Sequence, residues 1–234
     1  MTAWRQKNSG DRGQLHYLWH LARRNPLFIT GVAVVAALVI AALFAPYITP
    51  YPQDALHGIN FAEKLKPPSL RHLFGADALG RDIFTRVVFG ARMSLKIGLT
   101  VILLSLAIGV PLGLIAGFFG GKTDEIIMRL TDMFLAFPPI LLPLAIAAAL
   151  GASIINAMIA IAISWFPWYV RLIRAQVLTV KEELYVESAR SIGVSRPLII
   201  CRHILPNVLS PVVIQASMDM GYAILLAASL SFIG

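Results

Sequence analysis

The chain has 234 residues, of which 58% are hydrophobic and only 14% charged, with a mean hydropathy of +0.76. A soluble domain carries about 25% charged residues, so this balance places the chain in a bilayer and predicts an all-α, polytopic membrane protein. The formal charge of +8 does not imply nucleic acid, because the basic residues lie between apolar runs instead of along one face, and the single cysteine, Cys201, excludes an internal disulfide and a thiolate metal cluster.

Residues 1 to 26 form a basic, polar N-terminal segment. Between Arg24 and Asp54 no residue is charged, and 27 to 48 is long enough to cross the roughly 30 Å hydrocarbon core, giving span one. A secretory signal has an apolar core of about 7 to 15 residues, so this run behind Arg23 and Arg24 is predicted to be a retained anchor. Residues 49 to 96 make a polar segment in which Ile83, Phe84, Val87, Val88 and Ala91 share one face, predicting a helix lying at the membrane interface.

Residues 97 to 121 are uncharged and give span two. Within it Gly109, Gly113, Gly117 and Gly121 recur every fourth residue, with Ser105 continuing the row, so one stripe is nearly bare of side chains and lets another helix approach closely. The next uncharged run, Met133 to Val170, would make about 57 Å of helix and must fold back. The turn is expected at Gly151, Ala152 and Ser153, giving span three at about 126 to 150 and span four at about 154 to 172. At the start of span three, Arg129 and Asp132 are expected to pair with each other.

A polar island follows, from about 181 to 206. Tyr185, Ala189 and Ile192 fall at i, i+4 and i+7 and predict a short helix with one apolar face. Gly193 is a suitable left-handed stop, Ser195 a cap for a second helix, and Pro206 the end of that helix. Glu182, Glu183 and Glu187 would be repelled by an anionic leaflet, which favours a protein groove as the surface that receives this island. Span five runs from about 208 to 230 and carries Asp219, the one acid near the middle of a span. Its cost of about 2.5 to 3.5 kcal/mol makes it a candidate pathway residue facing a wet cavity, the alternative being a helix-to-helix hydrogen bond or a protonated acid. Prolines 111, 138, 139, 143, 167 and 211 lie within or beside spans two to five, as suits kinked helices that line a transport pathway. With the N-terminus inside, the cytoplasmic segments hold the larger share of the 20 Lys and Arg.

The island resembles the cytoplasmic loop of ABC importer permeases, which reads Glu-Ala-Ala, three residues, Gly, nine residues, Ile-x-Leu-Pro. Glu187, Ala189, Gly193, Leu205 and Pro206 match at that spacing, while Ser188 and His203 stand in for an Ala and the Ile. The stretch from Leu73 to Asp82, followed by Arg86 and by Gly90 to Leu95, looks like the outer segment of the dipeptide, oligopeptide and nickel branch. The resemblance implies two homologous permease subunits that form the pathway, ATPase subunits docked on these loops and an external solute-binding protein that delivers substrate. Glu187 to Gly193 would be the coupling helix, and 97 to 234 the permease domain. No Gly-x-x-x-x-Gly-Lys-Ser/Thr occurs, so ATP hydrolysis is expected of the separate subunit, with no catalytic residue, cofactor or metal in this chain. Peptides are the expected substrate, nickel chelates and other small solutes the alternative, and an ATP-independent channel or secondary transporter the alternative of another class. Members of this branch usually continue into a further span, so a sixth beyond Gly234 is expected, this chain being a fragment or a truncated product.

Overall fold

The computed structural model describes residues 25 to 233, so most of the N-terminal segment 1 to 26 lies outside the described residues. The regular elements described are helices, with one isolated antiparallel bridge between Ala76 and Asp82. The described residues fall into two compact units that divide between Leu95 and Lys96.

In the first unit, α1 spans Pro26–Leu43. The Asn25 side chain accepts from the amides of Leu27 and Phe28, and Pro26 occupies the first turn, where its missing donor costs nothing. The predicted span to residue 48 is not one helix. It breaks at Phe44, and α2 (Ala45–Ile48) begins a new turn, because Pro46 has no N–H to give and its ring excludes the carbonyl four residues back.

The segment before the next helix is a compact knot built on two aspartates. Asp77 accepts from the amides of Leu79 (2.8 Å) and Arg81 (3.0 Å), from Arg81 Nε (2.9 Å) and from Arg86. Asp82 is fully buried. It accepts from the Thr85 amide (2.7 Å), meets His72 Nδ1 at 2.9 Å and donates its own amide to Asp54. Gly80 is a requirement of this packing: φ is +75°, and a Cβ there would lie 1.8 Å from the Asn60 carbonyl oxygen.

Burial raises the Asp77 carboxyl, and the four donors more than reverse that, holding it at about 2. A carboxylate depressed below its usual value near 3.9 stabilises the fold fully above that pH, and its contribution is lost as pH falls toward 2. Protection of the amides between residues 75 and 86, taken relative to the intrinsic exchange rate at each pH, should therefore fall from about pH 4 to about pH 2. Asp77→Asn should exchange faster already at neutral pH and show a shallower acid dependence; parallel profiles for the two proteins would contradict this assignment.

Helix α3 covers Ile83–Phe119. The predicted interfacial helix and span two are thus one unbroken 37-residue helix. Charge at Arg92 and Lys96 limits what can sit in hydrocarbon, but Ala91 to Lys96 contains no helix breaker, so the backbone continues through it.

In the second unit, Gly120 and Gly121 both take positive φ and turn the chain into α4 (Gly121–Leu135). Gly121 therefore belongs to a turn and not to the bare stripe. The expected span three is split: α4 ends at a break over 136 to 140, and α5 covers Leu141–Leu150. Pro138 and Pro139 cannot donate, and each disfavours helix in the residue before it. Gly151 (φ +93°) makes the expected turn, and Ser153 caps α6 (Ile154–Val180) by accepting from Ile155. Asn156 donates to the freed carbonyls of Leu150 (2.8 Å) and Gly151 (3.0 Å). Helix α6 runs well past residue 172, because Arg171, Arg174 and the residues after them remain good helix formers.

Two acid–base pairs join α6 to α4. Arg174 Nη2 is 2.6 Å from Asp124 Oδ2, and Arg171 Nη2 is 2.6 Å from Asp132 Oδ1. The expected Arg129–Asp132 pair is not formed; Arg129 turns instead to Glu125, one helical turn away, at 3.1 Å.

A short helix α7 (Leu184–Ser191) follows, then α8 (Arg196–Ile199), a π-helical segment (Ile200–Ile204) and α9 (Leu205–Ile233). Pro206 does not end this second arm. The π segment widens the turn ahead of it, the Leu205 amide reaches back to Ile200, and Pro206 falls where the helix restarts, in a position that tolerates a missing donor. The rod from Arg196 to Ile233 is thus longer than the expected span five.

Among the described residues four helical rods are long and apolar enough to cross a membrane: Pro26–Leu43, Ile83–Phe119, Ile154–Val180 and Arg196–Ile233. The remaining expected span, span three, is the broken α4–α5 pair. The core of the second unit lies around α6, whose Tyr169, Ile173 and Val177 pack with Val186, Ala189, Ile199, Ile204, Val208 and Val212.

Candidate functional site

The polar island presents a helix backed by the core. Val186 and Ala189 are the buried side chains of α7. Tyr185 and Ile192, expected on the inner face with Ala189, point outward instead; Ile192 is 81% and Leu184 78% exposed. The inner positions at i and i+3 suffice to anchor eight residues, which leaves Leu184, Tyr185, Glu187, Ser188 and Ile192 on the outer surface. Large apolar groups so displayed at both ends of a short, charged helix suit a protein contact.

Gly193 ends α7 with φ +77°. Its amide bonds to Arg190 (3.0 Å), and the Val194 amide reaches the Ala189 carbonyl (3.1 Å), the paired bonds of a Schellman stop. A Cβ at Gly193 would meet nothing within 4 Å, so conformation and not space demands glycine. Ser195 stands at the next cap position without a side-chain cap bond, and Pro197 occupies the first turn of α8. Leu205 and Pro206 follow the π segment, 18 and 19 residues after Glu187. The structure therefore keeps Glu187, Ser188 and Gly193 on one accessible element and puts Leu205 and Pro206 at the root of the rod behind it.

Three glycines of the stripe on α3, Gly109, Gly113 and Gly117, lie close against α6. Ideal Cβ atoms at Gly109, Gly113 and Gly117 would lie 2.6, 2.8 and 2.7 Å from the Cβ atoms of Tyr169, Ile173 and Val177. Those residues also recur every fourth position, so two helices meet along matching rows with their backbones in close approach. Ser105 extends the row, donating to the Ala162 carbonyl at 3.2 Å, and Lys181 closes its other end on the Gly117 carbonyl at 3.3 Å.

Asp219 lies on α9, facing α6. Its Oδ2 accepts from Tyr169 Oη (2.9 Å) and Trp165 Nε1 (3.3 Å), and its Oδ1 accepts from Gln215 Nε2 (2.8 Å). Trp165 also packs against Tyr222, with ring centroids 4.9 Å apart and planes tilted by 36°. All three donors are neutral, and among the described residues no cationic group forms a salt bridge with Asp219. Sequence reasoning singled out the acid but missed Trp165, Tyr169, Gln215 and Tyr222. The i, i+4 spacing of Gln215 and Asp219 and of Trp165 and Tyr169 was the available signal. Beside this cluster, the break between α4 and α5 opens a cleft lined by Phe134, Phe137, Pro139, Ser164, Trp165 and Trp168.

Comparison with known proteins gives two family matches. Residues 109–234 match the binding-protein-dependent transport system inner membrane component, and residues 13–68 match the N-terminal transmembrane domain of oligopeptide transport permease C. The chain is 43% identical over 217 residues to a probable D,D-dipeptide transport system permease of Escherichia coli strain K12, covering 93% of this chain and 72% of that protein. It is 44% identical over 212 residues to a dipeptide transport system permease of Alkalihalophilus pseudofirmus, covering 91% and 69%. It is also 44% identical over 219 residues to a glutathione transport system permease of Escherichia coli O157:H7, covering 94% and 72%.

Proposed function

The chain belongs to the family of binding-protein-dependent transport inner membrane components, and we propose that it forms half of the pathway of an ATP-driven peptide importer. A homologous second permease supplies the other half, ATPase subunits supply the energy, and an external solute-binding protein delivers the substrate. The observation that carries this reading is α7: a short helix whose outer face is charged and apolar, whose inner face is anchored in the core, and whose stop is a fixed left-handed glycine.

In this reading the N-terminus and α7 are cytoplasmic, and Tyr185, Glu187, Ser188, Ala189 and Gly193 make the element that seats in a groove of the ATPase, with Leu205 and Pro206 fixing the arm behind it. Turns at 181 to 183 and 193 to 195 connect α7 to two long helical rods. Displacement of α7 when the ATPases close on ATP passes into both rods, and the packed α3–α6 rows make the bundle move as discrete bodies instead of deforming continuously. Asp219 faces the pathway. The relatives named for dipeptide, D,D-dipeptide and glutathione transport make short peptides and peptide-like conjugates the substrate class.

Uptake of a labelled dipeptide into cells containing this importer tests the proposal. Loss of the ATPase subunits should reduce uptake to background, whereas persistent downhill flux through the chain would mark an ATP-independent channel.

A further inference from the structure

We propose that Asp219, with Trp165 and Tyr222, is an ammonium-binding site in the pathway, which receives the free amino group of a passing peptide. The inference rests on the importer reading above and adds a ligand contact to it.

A carboxylate within a span is expensive unless it is neutralised, hydrogen-bonded or hydrated. Here it has three hydrogen bonds and, among the described residues, no cation paired with it. A carboxylate offers about four acceptor positions, and the three neutral donors occupy three, two of them on Oδ2. The remaining position is on Oδ1. Tyr169 is buried and Trp165 is half-buried and packed against Tyr222, so the donors from α6 hold the carboxylate in place.

The opposite side of the site is open. Gln215, Met218, Asp219 and Tyr222 lie at i, i+3, i+4 and i+7 on α9, and of these Gln215, Met218 and Tyr222 are exposed. That face combines a fixed negative charge with aromatic rings whose π faces attract cations, and lipid would not solvate it. A primary ammonium fits both features: it has three donors for Oδ1 and for water, and a charge that the two rings favour. The tilted Trp165–Tyr222 pair beside the carboxylate then discriminates a charged amine from its acylated, neutral form.

The test uses the assembled importer in detergent without its binding protein, so that selectivity outside this chain cannot contribute. Tryptophan fluorescence is titrated with L-alanyl-L-alanine and, at equal ionic strength, with N-acetyl-L-alanyl-L-alanine. The expected result is a saturable change with the free dipeptide alone, its half-saturating concentration raised about tenfold or more in Asp219→Asn and largely restored in Asp219→Glu. Equal responses to the two compounds, equal responses of wild type and Asp219→Asn, or no saturable response in any protein would overturn the site. ATPase-dependent uptake, measured on the same wild-type preparation after reconstitution with the binding protein added back, separates the outcomes: if it persists while the titration fails, the ammonium site is wrong and the importer reading stands.

Discussion

Replacing Gly193 by Val is expected to lower ATP-driven uptake by about tenfold or more while leaving the amount of protein in the membrane unchanged. At φ +77° a β-branched residue is strained by about 1 to 3 kcal/mol, although a Cβ at this position touches nothing. Relief of that strain must rotate the chain after α7 and break the Val194–Ala189 bond, which tilts the helix whose outer face the ATPase would grip. Asn tolerates the left-handed region, so Gly193→Asn should retain most of the uptake, Gly193→Ala less and Gly193→Val least. Glu187→Lys should fail similarly for another reason: it reverses the charge of an exposed residue in the first turn of α7 and opposes the helix dipole. The check is radiolabelled uptake normalised to immunodetected permease. Normal uptake by both Gly193→Val and Glu187→Lys would remove α7 from the coupling path.

Gly113→Val should have the largest effect on stability. The new Cβ would sit 2.8 Å from the Ile173 Cβ and 2.9 Å from the Val170 carbonyl oxygen, both rigid parts of α6. The two helices must separate along the whole row, since Gly109 and Gly117 are in contact on either side. Overpacking of this kind costs about 1 to 3 kcal/mol or more, which in a membrane protein of this size lowers the unfolding temperature by several degrees. Gly90→Ala, in the same helix, serves as the control: nothing lies within 4 Å of its Cβ, and alanine favours helix by about 1 kcal/mol over glycine. Thermal unfolding in detergent should therefore rank Gly113→Val well below wild type and Gly90→Ala at or above it. Equal melting of all three would mean that the α3–α6 contact contributes little.

The parts of this architecture that follow from local chemistry were legible in the sequence. An uncharged run of sufficient length specifies a span, Gly151 to Ser153 specifies a turn, and a four-residue glycine period specifies a close helix contact, because each depends on residues near one another in the chain. Helix limits were less legible. Charged residues end a hydrophobic run without ending a helix, so α3 starts before and α6 continues beyond the predicted boundaries. Pro206 has two structural outcomes, a stop or a restart, and the π segment that selects the second depends on packing of Ile199 and Ile204 into the core. Pro138 and Pro139 gave a strong local signal, yet a kinked span and a broken one share it. The orientation of α7 was misread because Tyr185, Ala189 and Ile192 share a periodicity with the true inner pair, Val186 and Ala189, and only tertiary burial distinguishes the two. Asp219 was recognisable as costly, and Gln215 lies one turn before it; its other two donors come from a helix about 50 residues earlier, which no local pattern connects to it.

Site-specific crosslinking from α7 tests the central claim most directly. Cys201 is exposed, so a Cys201→Ser background leaves the chain free of competing thiols. Ser188→Cys on the outer face of α7 and Leu70→Cys in the segment before α3 are each labelled with a photoreactive maleimide in membranes that contain the ATPase subunits. The account predicts a covalent adduct between the ATPase and position 188, diminished by Gly193→Val, and none from position 70. An ATPase adduct from position 70 but not from position 188, in membranes that still transport, would contradict it.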